Sequence, residues 1–329
     1  MTDGLRVAIT GGAGFLGARL ARAMLVSGAL APTGEGHGEV ASIRLLDRVS
    51  PPEDLATDRR VEPVVGELTD ALARGALRNV DVVVHLAAAV SGECERDLDL
   101  GLVNNLDASR VLLDACRQLG TAPILVFASS VAVFGGLPGQ PLPDVVVDST
   151  MPIPRSSYGT QKVMVEYLVS DYNRRGHVRG RTVRLMTVTV RPGRPNAAAS
   201  SFVSGIIREP LNGERSVCPV PPDTELAVSS PRRSIEALLL ACTASDEAWG
   251  PATAMNLPAL TVTAREMAAA MDRVAGHAAS DLIDWEIDPA VVDVVASWPA
   301  WFRTDRANAL GLTAEPDFDT IVRSYVAER

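Results

Sequence analysis

The first half of the chain alternates short apolar runs with stretches of helical spacing. Residues 6–10 (RVAIT) read as a strand, and residues 14–27 carry apolar side chains at helical intervals. Further strands are expected at 43–47, 61–65, 81–86 and 123–128. Long helical patterns cover 95–119 and 158–175, and 182–190 is another β-branched run. Strands that are apolar throughout and separated by helices need cover on both faces. That predicts an α/β fold, a doubly wound parallel sheet of the Rossmann type.

After RPGRPN at 191–196 the alternation weakens, and proline and loops increase. Helical patterns recur near 202–211, 234–244, 263–276 and 305–310, with strand candidates at 253–257 and 282–287. The expected division is a nucleotide-binding domain over residues 1–190 and a smaller mixed substrate-binding region over 191–329. Residues 29–40 (ALAPTGEGHGEV) are expected to form a surface loop between the first helix and the second strand.

Composition narrows the class. The 329 residues are 47% hydrophobic and 22% charged, enough for a sizeable core. No apolar run approaches the ~20 residues of a membrane span, and the N-terminus enters a strand with no signal-peptide plug. A cytoplasmic protein without a membrane partner is the expectation. A net charge of −9 argues against nucleic acid as a partner. Cys94, Cys116, Cys218 and Cys242 lie far apart with no CxxC pair, so neither a metal site nor a disulfide framework is expected. Thirty basic residues are arginine, and one, Lys162, is lysine.

Three motifs carry chemistry. TGGAGFLG at 10–17 places Gly11, Gly14 and Gly17 between a strand and a helix. Such glycines give a tight turn, close approach of a pyrophosphate and close helix packing, and the helix start offers free N–H groups. Phe15 and Leu16 belong to the same turn. Asp47 ends the second strand, where a carboxylate can bind both adenosine ribose hydroxyls and repel a 2′-phosphate. That favours NAD over NADP, although the neighbouring Arg48 could soften the preference by turning toward the phosphate. Glu67 and Leu68 after the third strand are placed for the adenine, and Leu86, Ala87 and Ala88 after the fourth for the middle of the cofactor. Tyr158 and Lys162 in YGTQK share a helix face at i, i+4, and a nearby ammonium is expected to lower the phenol's pKa. Ser129 and Ser130 close the fifth strand, where a hydroxyl can reach both the phenol and a substrate oxygen.

Together these motifs resemble the extended short-chain dehydrogenase/reductase superfamily over about residues 5–195. TGGAGFLG, Asp47, HLAA at 85–88, NNLDA at 104–108, the serine strand end and YGTQK stand in that family's order. The resemblance implies Ser130, five residues before Gly135, as the catalytic serine, with Tyr158 as base and Lys162 beside it. It also implies a proton-relay role for Asn105 and a homodimer formed through the two long helices. Ala108-Ser109 departs from the family's Gly-Thr and is expected to alter packing. RPGRPNAAASSF at 191–202 and SPRRS at 230–234 are similar to family members that oxidise the 2-hydroxyl of the four-carbon sugar acid D-erythronate with NAD. Met186, in place of a proline, departs from them. Such an acid needs a cation for its carboxylate. Arg194 and Arg232 are the candidates, ahead of Arg208 and Arg233, with Ser91 and Gly92 near the substrate's hydroxyls. A nucleotide-sugar epimerase or dehydratase of the same fold, and a non-catalytic NAD-binding protein, remain open.

Overall fold

Val7, Ala8 and Ile9 are all buried, so β1 (Leu5–Thr10) is apolar on both faces, as a central strand of a parallel sheet must be. The structure is a computed structural model that describes residues 4–30, 38–193 and 198–329. The remaining strands in chain order are β2 (Ala29–Leu30), β3 (Gly38–Asp47), β4 (Val61–Val65), β5 (Val82–His85), β6 (Ile124–Ser130) and β7 (Arg179–Leu185). They are followed by β8 (Thr187–Val188), β9 (Ser216–Cys218), β10 (Glu225–Ser229), β11 (Met255–Asn256), β12 (Leu260–Thr263) and β13 (Ile283–Trp285). The main sheet runs β11-β7-β6-β5-β1-β3, with β2 and β4 both pairing β3, and every pairing but that of β2 is parallel. The direction of winding reverses between β1 and β5. Ligands of open α/β sheets bind at the carboxyl ends of the strands at such a switch point.

Two apolar layers sandwich the sheet. Leu20 and Met24 of helix Phe15–Ser27 and Leu238 of helix Pro231–Thr243 pack with Val7, Ile9, Ile43 and Val84. On the other face, Leu112 and Leu113 of helix Ala108–Leu119 and Val165 and Val169 of helix Ser157–Arg174 pack with Ala8, Val83, Leu125 and Phe127. A separate core holds Ile206, Ile207, Val228, Met267, Met271 and Ile321, beside the small sheet β12-β10-β8. The chain after residue 190 thus builds this second core and also covers the first sheet. No helix among the described residues is long and apolar enough to cross a membrane.

The structure corrects the sequence reading in four places. Residues 29–40 are not wholly loop. Gly28, with φ at +67°, turns the chain back, and Ala29–Leu30 pairs antiparallel with Gly38–Glu39 at the start of β3. The helical pattern at 95–119 is interrupted at Asp97, which adopts an extended conformation and accepts the Leu100 N–H at 2.9 Å. A π-helical turn, Leu102–Asp107, follows before the regular helix resumes. The β-branched run at 182–190 splits, with β7 in the main sheet and β8 in the small one. Helix Phe318–Ala327 was not foreseen, although Phe318, Ile321, Val322 and Tyr325 bury one face at helical spacing.

Candidate active site

Gly11 leaves β1 with φ at +69°, and a Cβ there would stand 2.9 Å from the Ala87 nitrogen. At Gly17 a Cβ would stand 2.2 Å from the Gly11 carbonyl oxygen, so the helix start is pressed against the turn. Only glycine permits this contact. The helix opens with Gly14 as its N-cap and no side chain to satisfy the first N–H groups. A cavity of about 620 Å³ begins here and runs along the carboxyl ends of the strands. Asp47 lines it, with one carboxylate oxygen accepting the Ala13 N–H at 3.0 Å. Phe15, Leu16, Glu67, Leu68 and Leu86–Ala88 line it as well.

Ser130, Tyr158 and Lys162 line the far end of the same cavity. Lys162 is buried, and its Nζ donates to the Ala128 carbonyl at 2.8 Å and lies 5.6 Å from the Tyr158 ring centre. Ser130 faces the phenol and favours its ionised form. Burial and neighbouring groups act on the phenol in opposite directions. Burial pushes the Tyr158 phenol up to about 12, with a smaller contribution from Cys94, while Ser130 and Arg191 pull it back. Burial in turn brings Lys162 down to about 8, against the raising effects of Cys94 and Glu166.

Ser129, also at the wall of the cavity, donates to Glu166 at 2.6 Å. Glu166 pairs with Arg184 at 2.7 Å in a buried ion pair. Asn105 lies behind the cavity. Its amide accepts the Ala89 N–H at 2.7 Å and donates to Gln161 at 2.8 Å, bracing the loop after β5. Ser109 does more than pack, since its hydroxyl bonds the Asn105 carbonyl and lies 2.9 Å from His85 Nε2. Burial takes His85 down to about 3, so this ring stays neutral.

The substrate residues divide. Ser91 lines the cavity and accepts the Ala199 N–H at 3.0 Å, whereas Gly92, one position on, does not line it. Arg194 lies outside the described residues. Arg232 is elsewhere, held by Glu315 at 3.0 Å and Glu236 at 2.9 Å, so its charge is already paired. Arg208 is buried and donates to the Arg191 carbonyl at 2.7 Å. The sequence reading missed Arg191 itself. Arg191 lines the cavity and interacts electrostatically with Tyr158, and no carboxylate among the described residues pairs with it. Its pKa is lowered by burial and by Arg208. Its place at the end of a β-branched run was the available signal. Trp298 of the C-terminal region also lines the cavity, and nothing in its local sequence marks it.

Comparison with known proteins supplies context for this geometry. A curated relative, D-erythronate dehydrogenase of Cupriavidus necator, is 48% identical over 326 residues that cover 98% of both chains. D-erythronate dehydrogenase of Haemophilus influenzae is 38% identical over 326 residues, covering 98% of this chain and 99% of that one. A crystal structure described as a nucleoside-diphosphate-sugar epimerase from Agrobacterium tumefaciens matches with a TM-score of 0.89 and 38% identity, covering 99% of this chain and 94% of that one. The model of the NAD dependent epimerase/dehydratase family matches residues 7–231, and the chain belongs to that family.

Proposed function

We propose that the protein is an NAD-dependent dehydrogenase that oxidises the 2-hydroxyl of a four-carbon sugar acid, D-erythronate, to 2-dehydro-D-erythronate. The observation that carries this reading is a partly buried arginine without a carboxylate partner among the described residues, Arg191, in one cavity with Ser130, Tyr158 and Lys162. A buried cation of this kind suits a carboxylate ligand. In a 2-hydroxy acid the reacting hydroxyl is one carbon from that carboxylate, which brings it toward the phenol. The two D-erythronate dehydrogenases, at 48% and 38% identity, support the choice of acid.

The residues fit a dinucleotide. The glycine turn lets the helix start pack on β1, with its first N–H groups uncapped by any side chain, and Asp47 lines the same cavity. A bound NAD would supply the acceptor for the hydride leaving C2. Tyr158 Oη takes the hydroxyl proton, Ser130 orients the substrate oxygen, and Lys162 holds positive charge beneath the phenol. Glu67, Leu68 and Leu86–Ala88 are the further cofactor contacts of this reading. Asn105 positions Ala89 and Gln161 rather than touching the reacting atoms.

A second reading, a nucleotide-sugar epimerase, has two observations in its favour. One is the description of the Agrobacterium structure. The other is Trp298 in the cavity wall, since a nucleotide base needs an aromatic surface. Phe202 and Trp249, in contrast, are buried in the two cores. The deciding experiment follows absorbance of the reduced nicotinamide with NAD and D-erythronate, with the matching four-carbon polyol lacking a carboxylate, and with a uridine-diphosphate sugar. Turnover of the acid and not the polyol is expected. A uridine-diphosphate sugar that raises the melting temperature, with no reaction on the acid, would favour the epimerase. No reaction with any of these substrates would favour the non-catalytic reading.

The homodimer implied by the resemblance is also proposed. Leu98, Val103, Met164 and Tyr167 are exposed apolar side chains on the helices that would meet.

A further inference from the structure

Arg48 follows Asp47 directly at the carboxyl end of β3, and two of its guanidinium nitrogens are engaged. Its Nε lies 3.0 Å and 3.1 Å from the two Glu67 oxygens, and a terminal nitrogen donates to the Asn104 side chain. Asn104 is itself fixed, since its amide nitrogen donates to the Leu100 carbonyl at 2.8 Å. Arg48, Glu67, Asn104 and Asp47 all line the adenosine end of the cavity. The clasp therefore joins the ends of β3 and β4 to the π-helical turn, beside Asp47.

Resting on the dinucleotide reading above, we propose that Glu67 and Asn104 determine cofactor choice by holding Arg48 away from the ribose 2′ position. An arginine beside the second strand's terminal acid is a ready partner for a 2′-phosphate, because its planar fork matches phosphate oxygens. Here Glu67 and Asn104 take the Nε and one terminal nitrogen, which turns the fork toward them. The formal charge of Asp47, Glu67 and Arg48 together is negative, which suits a ribose diol and opposes a phosphate. The lock is also a weak one. Arg48 and Glu67 are both 58% exposed, and exposed ion pairs contribute little. Losing one partner should release the arginine without disturbing the fold. Glu67 precedes helix Leu68–Ala73 and its side chain makes no cap hydrogen bond, so its removal leaves the backbone supported.

The test measures NAD and NADP dissociation constants by calorimetry for the parent and four variants. Glu67→Ala should shift the ratio toward NADP by roughly tenfold, the size of one new charge-assisted hydrogen bond. Glu67→Gln removes the same charge but keeps an acceptor for Arg48, and it should shift the ratio by less than about threefold. Glu67→Ala combined with Arg48→Ala should return to the parent ratio. Arg48→Ala alone should change that ratio by less than about threefold, because a clasped arginine serves neither nucleotide. Equal shifts in Glu67→Ala and Glu67→Gln would show that charge alone acts, and would overturn the proposal. So would no shift in Glu67→Ala, or a shift that survives loss of Arg48. A parent protein that binds neither nucleotide would overturn the dinucleotide reading itself, and this inference with it.

Discussion

Ser129 and Ser130 are neighbours on one strand, and successive strand residues face opposite sides. Ser129 turns to Glu166, and Ser130 turns to Tyr158. Two adjacent serines are legible in sequence, but which one meets the phenol depends on strand register and on a helix 28 or more residues away. The Tyr158–Lys162 spacing was legible because one helical turn sets it. Arg191 was not, since having no carboxylate partner among the described residues is a property of the folded surroundings. The site also predicts a pH dependence. With Tyr158 at about 12 and Lys162 at about 8, the first proton leaves this pair near 8 as pH rises. Losing that proton permits a phenolate–ammonium form, a tautomer of phenol–amine. The groups facing the pair are Ser130, Cys94 and Arg191 around the phenol, and Cys94 and Glu166 around the ammonium. Below about 8, kcat/KM for oxidation should fall about tenfold per pH unit. Tyr158→Phe should reduce turnover by roughly 10²–10⁴-fold while nucleotide still binds in calorimetry. A rate profile that is flat through about pH 8 would remove the pair from the proton transfer.

Strands and helices with unbroken local patterns were legible, as for β4 and helix Ser157–Arg174. The break at Asp97 was less so, because helical spacing continues across it. Its signal was an aspartate able to cap the next turn. The crossing at Met186 was invisible, since β7 and β8 form one β-branched run and part only when two sheets compete for it. Contact between elements also explains the glycine inside YGTQK. A Cβ on Gly159 would stand 2.1 Å from the Ala132 carbonyl oxygen, so helix Ser157–Arg174 rests directly on the turn after Ser130. Gly159→Ala must push the helix off that turn. It should destabilise the protein by about 1–3 kcal/mol, as overpacked cores do, and lower the melting temperature by roughly 2–4 °C per kcal/mol. Turnover should suffer more than nucleotide affinity, because the displacement separates Tyr158 from Ser130. A variant with unchanged melting temperature and rate would mean that the helix and turn are not in close contact.

At the scale of the whole chain, the part beyond residue 190 is not an independent lid. Helix Pro231–Thr243 places Ile235, Leu238 and Ala241 in the core with Val7 and Ile9, and β11 pairs with β7 along the sheet edge. Arg181 on β7 is 1% exposed and depends on these later residues. It donates to the Ala241 carbonyl and to Asp246, each at 2.8 Å, and lies 5.7 Å from the Trp249 ring centre. Arg184 likewise bonds Asn256 as well as Glu166. Removing everything after residue 190 would uncover the apolar sheet face under helix Pro231–Thr243, take away Arg181's partners and leave β7 an unpaired strand edge. Losses of this kind are a large share of the net stability of most domains, about 5–15 kcal/mol. A fragment of residues 1–190 should therefore lack a cooperative transition and fixed near-ultraviolet circular dichroism. The intact chain should unfold in one step, with calorimetric and van't Hoff enthalpies in agreement. NAD should raise that single transition, because a ligand at one end stabilises everything that unfolds with it. Two resolved transitions, with NAD moving only one, would show that the halves fold separately and that Arg181 finds its partners locally.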